Sequence, residues 1–194
     1  MKPAGAIVLT ASQPFTTLLV QSNLELFGYE IIWGKSRGTN YLQANKQPLK
    51  IHENILVFYA KPPTYNPIKT KGRPYKKVQR SNNHEGSTYY KDTRPKGFIN
   101  INDGERMPTS IINFGNPNND IIHPTQKPVG LFEYLIRTYT NEGDLVFDGF
   151  GGSGTTAIAA YKSKRNFIVI EKEQKYFDLA KRRLENEREQ FSLL

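Results

Sequence analysis

The sequence contains no cysteine and three histidines among 194 residues. Without cysteine there is no disulfide framework, no thiol nucleophile and no thiolate metal site. His52, His84 and His123 stand far apart, which excludes a zinc site built from closely spaced histidines. The longest apolar runs, at residues 4–9 and 55–60, are too short to cross a bilayer. A proline beside the first run argues against a signal peptide, so we expect a cytoplasmic protein with no membrane partner.

Positive charge is concentrated in the middle of the chain. There are 27 Lys and Arg against 18 Asp and Glu, a net charge of +9. Residues 61–110 supply +7 of it (11 − 4), whereas residues 111–194 carry 11 charges of each sign. A localised positive field indicates a polyanionic partner, nucleic acid first. The candidate DNA-binding residues are Lys69, Lys71, Arg73, Lys76, Lys77, Arg80, Lys91, Arg94 and Lys96.

The hydrophobic pattern is that of an α/β protein interrupted by this basic segment. Strands are predicted at residues 6–9, 30–33, 54–59, 145–147 and 167–170. Helices are predicted from residue 13 to Gly28, from Pro128 to before Gly143, and at residues 155–162 and 173–190. Apolar strands without alternation, separated by helices, predict a mostly parallel sheet with helices on both faces.

The predicted organisation follows from the loss of that pattern in the middle. Residues 61–120 hold many prolines, glycines and asparagines, and no helical or strand period lasts there. We interpret them as an inserted, loop-rich basic lobe, with a solvated flexible loop as the alternative. Residues 1–60 and 121–194 would then form the two halves of one domain.

A glycine-rich turn at residues 149–154 follows the strand that ends near Asp148. Gly149, Gly151 and Gly154 satisfy the spacing G-x-G-x-x-G, and Glu171 ends the next strand, where an acidic residue can hold ribose hydroxyls. The alternative is a turn that needs glycine only for tight packing. The agreement of strand, turn, helix and downstream acid favours a nucleotide-type ligand.

The residues around the turn limit which nucleotide-type ligand can bind there. No lysine follows Gly154, which excludes a phosphate-binding P-loop. Asp148 would repel a pyrophosphate, which disfavours NAD, and it suits a cationic ligand. Adenosine with an amino-acid tail, as in S-adenosylmethionine, fits both carboxylates.

Two motifs together carry a family resemblance. Residues 148–156 resemble the D-P-F-x-G-S-G-T-T motif of β-type DNA amino-methyltransferases, and residues 123–128 match their H-P-T-Q-K-P segment. The similarity extends over nearly the whole chain, although Gly149 stands where the family has proline, which we expect to loosen the turn. It implies a Rossmann-like methyltransferase fold, S-adenosylmethionine as cofactor, and methylation of duplex DNA, with the adenine amine favoured over cytosine. The implied cofactor-binding residues are His123, Gln126, Lys127, Asp148, Phe150, Gly152, Ser153, Gly154, Thr155 and Glu171.

The catalytic loop of that family, D/N/S-P-P-Y/F/W, has no counterpart in the sequence. The one Pro-Pro pair, at residues 62–63, lacks both the polar leader and the aromatic residue. We therefore assign no catalytic residue in this chain. The resemblance implies a central strand between the strands at 145–147 and 6–9, which we expect to be missing here, and we expect the chain alone to be weakly active or inactive.

The missing strand leaves three outcomes open: the chain is a fragment that folds poorly, the strand is supplied by another chain, or the two strand edges close up. In the second case a second polypeptide or a second copy of the chain would complete the sheet. The function has alternatives of its own. The chain could instead be a non-catalytic DNA-binding subunit or remnant. An NAD-dependent oxidoreductase is the third alternative, which the literal glycine spacing permits.

Overall fold

The computed structural model describes residues 4–78, 97–116 and 126–192. These residues form two compact units. The first runs up to Asn66 and resumes at Thr109, and the second is Pro67–Pro108. None of the described helices combines the length and apolar character needed to span a bilayer.

The secondary structure of the described residues follows the predicted order. The strands are β1 (Ile7–Ala11), β2 (Phe27–Thr39), β3 (Lys50–Phe58), β4 (Thr70–Lys71), β5 (Tyr75–Val78), β6 (Ile99–Asn102), β7 (Glu105–Arg106), β8 (Ile111–Asn113), β9 (Leu145–Asp148) and β10 (Asn166–Val169). The α-helices are α1 (Phe15–Ser22), α2 (Val129–Tyr139), α3 (Thr155–Lys162) and α4 (Gln174–Ser192). The prediction of a helix at 155–162 is confirmed without change.

The first helix ends earlier than predicted, and Gly28 is not its stop. The helix α1 ends at Ser22, and Gly28 lies inside β2. A Cβ at Gly28 would stand 2.2 Å from the ring of Tyr59. The glycine therefore allows a close approach between a strand and an aromatic ring, a contact that local sequence does not reveal.

The main sheet of the first unit has the strand order β1-β3-β2-β8. β3 is antiparallel to both β1 and β2, whereas β2 and β8 are parallel. A separate two-stranded sheet pairs β9 and β10 in parallel. Pairing is thus mixed, where the sequence predicted a mostly parallel sheet. The segment between β2 and β3 is too short for a parallel crossover, and the absence of alternation in β3 reflects burial rather than direction.

Helices cover the main sheet on both faces, as predicted. On one face Trp33, Ile55 and Val57 pack with α2 residues such as Leu131. On the other face Leu56 and its neighbours pack against partly buried residues of α1. Ile55, Leu56 and Val57 are all fully buried, which explains the continuous apolar run of β3.

Each sheet of the first unit ends on an open edge. Among the described residues, β1 pairs only with β3, and β9 pairs only with β10. These two strands are the ones that the sequence predicted to flank a missing central strand. Their apolar side chains are also incompletely covered, since Leu9 is 38% and Phe147 66% exposed.

The second unit consists of two small antiparallel ribbons. β4 pairs with β7, and β5 pairs with β6. The predicted basic segment, 61–120, thus contains short strands as well as loops. Near the C-terminal end of that segment β8 pairs with β2, and both strands belong to the first unit. The functional division at residues 60 and 120 stays a prediction.

Candidate functional site

The glycine-rich turn connects β9 to α3 and packs closely against β10 and α4. A Cβ at Gly151 would lie 2.3 Å from Val169 Cγ1, and a Cβ at Gly154 would lie 2.7 Å from Ala180 Cβ. Gly154 also has φ +78°, which favours glycine. The packing interpretation therefore holds for these two glycines. At Gly149, where the resembled motif has proline, a Cβ would make ordinary contact, 3.6 Å from the ring of Phe147.

Two carboxylates at adjacent strand ends hold the backbone of this turn. Asp148 Oδ1 accepts the N–H of Phe150 at 2.9 Å, and Oδ2 accepts the hydroxyl of Thr156 at 2.5 Å. Glu171 Oε2 accepts the N–H of Gly152 at 2.7 Å. The structure thus brings together two acids that lie 23 positions apart in the sequence (171 − 148), because β9 and β10 are parallel neighbours.

The other predicted residues of the turn separate into an exposed and a buried group. The side chain of Phe150 is 95% exposed at the tip of the turn, whereas Ser153 and Thr155 are buried. Thr155 Oγ1 donates to the carbonyl of Lys127 at 3.3 Å, and Ser153 and Thr155 hydroxyls lie 3.4 Å apart. In this structure the two buried hydroxyls brace the start of α3, while Phe150 offers a free aromatic face.

The segment before α2 brings Lys127 to the first turn of α3 and to the main sheet. Its ammonium lies 2.6 Å from Glu53 Oε2, and Lys35 lies 2.5 Å from Glu53 Oε1. Both lysines lie over the ring of Trp33, at 5.6 and 5.1 Å from the centroid. Partly buried Gln126 directly precedes Lys127, and His123 lies outside the described residues.

Electrostatics keeps the carboxylate of this cluster ionised. Burial alone would raise the pKa of Glu53, but hydrogen bonds and charge from Lys127 and Lys35 outweigh it and lower the pKa overall. Sequence reasoning missed Glu53 and Lys35. One signal in the sequence could have identified them: both are charged residues within otherwise apolar strands, at alternating positions that share a face with Trp33.

The described basic residues of the second unit differ in their availability. Lys69 forms an ion pair with Glu105, which raises the pKa of this exposed lysine. Four further cations have exposed side chains; they are Lys71, Arg73, Lys76 and Lys77. The remaining candidates lie outside the described residues; they are Arg80, Lys91, Arg94 and Lys96.

Arg106 is a residue of this unit that sequence reasoning missed. Its guanidinium lies 5.1 Å from the ring of Tyr75 and donates to the side chain of Asn102. It thereby joins the two ribbons. Lys76 and Lys77, consecutive on β5, project to opposite faces of the second ribbon.

Comparison with known proteins shows the family of the chain. A family profile described as DNA methylase matches residues 1–182. The chain is 49% identical over 67 residues to the type II methyltransferase M2.DpnII of Streptococcus pneumoniae, covering 34% of this chain and 25% of the relative. It is 37% identical over 108 residues to M2.LlaDCHI of Lactococcus lactis subsp. cremoris, covering 54% and 39%. The matched segments thus span about a quarter to two fifths of these curated relatives.

Solved structures show the same fold. The complex of M1.HpyAVI with S-adenosylmethionine superposes with a TM-score of 0.64 at 27% identity, covering 95% of this chain and 76% of that one. The cytosine-N4-specific PvuII DNA methyltransferase gives 0.64 at 17% identity, covering 93% and 64%, a likeness of fold alone. The predicted α/β methyltransferase fold is therefore confirmed. Because the profile spans nearly the whole sequence, both halves of the first unit and the insertion between them, the chain belongs to the S-adenosylmethionine-dependent DNA methylase family of β-type amino-methyltransferases.

Proposed function

We propose that the chain carries the cofactor-binding part of a site-specific DNA methyltransferase of a restriction-modification system, which transfers a methyl group from S-adenosylmethionine to an amino group of duplex DNA. The observation that carries this proposal is the pair of carboxylates, Asp148 and Glu171, which converge on one glycine-rich turn at adjacent ends of parallel strands. Such a strand-end crevice is the usual place for a nucleotide in an open α/β sheet.

The donor and acceptor set fits this cofactor. Asp148 retains acceptor capacity beyond the two hydrogen bonds described, since a carboxylate offers about four lone-pair sites. Asp148 would face the cationic amino-acid end, Glu171 would accept from the ribose hydroxyls, and the exposed ring of Phe150 would pack against the adenine. When bound, the cofactor supplies an activated methyl group. The residues of this chain bind and orient it.

Cofactor binding can be tested by titration calorimetry with S-adenosylmethionine. We expect saturable binding that weakens at least tenfold in Asp148→Asn and in Glu171→Gln, because each change removes a charge-assisted interaction of about 1.5–3 kcal/mol. Asp178→Asn, a change on α4 at a carboxylate that accepts only from Gln174 among the hydrogen bonds described, is the matched control. Equal affinity in all variants would contradict the assignment.

The base that receives the methyl group is proposed from the family resemblance. We favour the adenine amine over the cytosine amine. Mass spectrometry of nucleosides released from methylated DNA distinguishes N6-methyladenine from N4-methylcytosine. Detection of N4-methylcytosine alone would overturn the choice of base without affecting the cofactor site.

DNA contact is proposed for the exposed cations of the second unit. Lys71, Arg73, Lys76 and Lys77 are available to phosphates, whereas Lys69 is paired with Glu105. Arg80, Lys91, Arg94 and Lys96 complete the proposed set. Affinity for duplex DNA should fall steeply with salt, and Lys77→Ala should reduce the slope by about one. A flat salt profile would contradict this assignment.

We also propose that another strand completes the sheet between β1 and β9, supplied by a second polypeptide or a second copy of the chain. Both strands present an unpaired edge within the described part of the first unit, and such edges readily accept a further strand. Catalysis would then depend on that strand and the D-P-P-Y type loop that follows it in the resembled family. The chain alone would have little or no activity.

This arrangement predicts protection of specific backbone amides. Co-expression with a polypeptide carrying a strand and a D-P-P-Y type loop should slow amide hydrogen exchange in β1 and β9 and restore methyl transfer. Self-completion would instead give a dimer by light scattering and the same protection. A monomer whose exchange is unchanged by that polypeptide would contradict the proposal.

The two alternatives make different predictions. A non-catalytic DNA-binding subunit or remnant would bind DNA and bind no S-adenosylmethionine in the titration above. An NAD-dependent oxidoreductase would bind NAD in preference to S-adenosylmethionine. Asp148 and membership in the methylase family weigh against the oxidoreductase, and the titration with S-adenosylmethionine separates the methyltransferase from the non-catalytic subunit.

A further inference from the structure

A compact cluster of charges lies on one face of the main sheet, beside the only tryptophan of the sequence. Trp33 of β2 is directly opposite Glu53 of β3, and Lys35 follows Trp33 by two positions, so the three residues share a face. Lys127 reaches the same carboxylate from the segment before α2. Glu53 therefore binds one ammonium with each of its oxygens, at 2.5 and 2.6 Å.

The cluster is largely withdrawn from water and its charges do not balance. The side chains of Lys35, Glu53 and Lys127 are only 9, 13 and 20% exposed, and Trp33 is 2% exposed. Two ammonium groups against one carboxylate leave a local surplus of one positive charge. Because partly buried charge is stabilised by a hydrogen-bonded counter-ion, this arrangement favours one further anion.

The family resemblance implies that Lys127 meets the methionine carboxylate of the cofactor, and the position of Lys127 agrees with that role. The carbonyl of Lys127 accepts a hydrogen bond from Thr155, the first residue of α3, and α3 begins directly after the glycine-rich turn. The backbone of Lys127 is thus fixed to the cofactor side, and its side chain is fixed to the sheet by Glu53. The cofactor that the turn is proposed to bind carries a carboxylate on its amino-acid tail.

We propose that Glu53 is a positioning residue, which together with Lys35 fixes the ammonium of Lys127 and leaves one positive charge for the tail carboxylate of S-adenosylmethionine. This inference rests on the proposed function, because it presupposes that the turn binds that cofactor. Glu53 acts through Lys127 and does not itself touch the cofactor. Lys35 completes the arrangement by holding the second oxygen of Glu53, so that the carboxylate cannot neutralise Lys127 alone.

The experiment compares two ligands that differ in the tail. S-adenosylmethionine has the carboxylate, and 5′-methylthioadenosine has the same adenosine with a neutral thioether in place of the sulfonium and no amino-acid tail. We expect Glu53→Gln and Lys35→Met each to weaken S-adenosylmethionine binding about tenfold, the equivalent of one charge-assisted hydrogen bond. Binding of 5′-methylthioadenosine should change less than about twofold, within the small effect expected where no direct contact is lost.

Two controls separate positioning from a general loss of structure. Glu142→Gln makes the same substitution at an exposed glutamate and should leave both affinities unchanged. Trp33 fluorescence reports the cluster directly, because both ammonium groups lie over its ring. Glu53→Gln should shift its emission, and Glu142→Gln should not.

The outcomes are distinguishable from failure of the proposed function. Equal weakening of both ligands by Glu53→Gln would show that Glu53 only supports the fold, and would overturn the inference. Unchanged S-adenosylmethionine affinity in Lys127→Met would also overturn it. Absence of S-adenosylmethionine binding to the unmodified chain would refute the proposed function, and the inference with it. An unchanged Trp33 emission in Glu53→Gln would reject the positioning of Lys127 independently of any ligand.

Discussion

The tight packing of the glycine-rich turn makes a quantitative prediction about Gly151. Its N–H donates to the carbonyl of Ile170 at 2.8 Å, and an added Cβ would lie 2.3 Å from Val169 Cγ1 and 3.2 Å from that carbonyl oxygen. Val169 cannot easily adopt another rotamer to make room, because branching at Cβ restricts its χ1 angle. The turn must therefore move away from β10 in Gly151→Ala.

The expected cost is that of overpacking, about 1–3 kcal/mol of unfolding free energy. For a chain of this size each kcal/mol lowers the melting temperature by about 2–4 °C. Displacement of the turn should also lengthen the hydrogen bond from the N–H of Gly152 to the carboxylate of Glu171. The affinity for S-adenosylmethionine should therefore fall together with stability. Urea unfolding and thermal denaturation measure the first effect, and calorimetric titration measures the second.

Gly149→Ala is the matched control, since it adds the same methyl group in the same turn. Its Cβ would make ordinary contact with Phe147 at 3.6 Å, and the lower entropy of the unfolded chain should leave stability unchanged or raise it by about 0.4–1 kcal/mol. If Gly151→Ala and Gly149→Ala unfold at the same urea concentration, the close approach of the turn to β10 is wrong.

Three further predictions concern the first unit. Tyr139→Phe removes the hydroxyl that lies 2.7 Å from the hydroxyl of Tyr29, and it should lower the free energy of unfolding by about 1 kcal/mol in urea. Because burial raises the pKa of Tyr139 far above 10, the stability of the wild-type protein should also decline as pH rises above 10. Absence of that decline would refute the prediction. Asn66→Ala removes an amide that donates to two carbonyls at the end of α2 and should cost about 1–2 kcal/mol by the same measurement, whereas full stability would show that water replaces it. Since the pKa of Glu53 is lowered below its ordinary 4.5, its ion pairs should stabilise the fold fully above that pH and be lost as pH falls through the folded-state pKa, a dependence that Glu53→Gln should abolish in acid titrations of stability.

The predictability of the elements depended on how local their causes are. The helix at 155–162 was predicted without error because the turn before it and the apolar composition within it are both local signals. The sheet was predicted as mostly parallel because its apolar strands lack alternation and are separated by helices. That pattern reports burial on both faces, which β3 achieves while antiparallel to its neighbours.

The candidate site divides along the same line. Asp148 and Glu171 could be predicted because Asp148 ends β9 and Glu171 follows β10 by two residues, and parallel pairing brings such positions together. Glu53 could not, because it meets Lys35 only when β2 pairs with β3, and it meets Lys127 only when the segment before α2 packs on the sheet. The same holds for Gly28, whose partner Tyr59 lies on a later part of the chain.

The sequence by itself determined the α/β class, the concentration of positive charge in the middle segment, and the cofactor motifs that place the chain among the DNA methylases. The class and the charge distribution depend on composition and periodicity, whereas the motifs act through their resemblance to a known family; all three are properties of the linear chain. The tertiary structure decided the strand directions and the carboxylate shared by two lysines over Trp33. Each of these requires the contact of residues far apart in sequence, and such contacts are set by the packing of whole elements rather than by local preference.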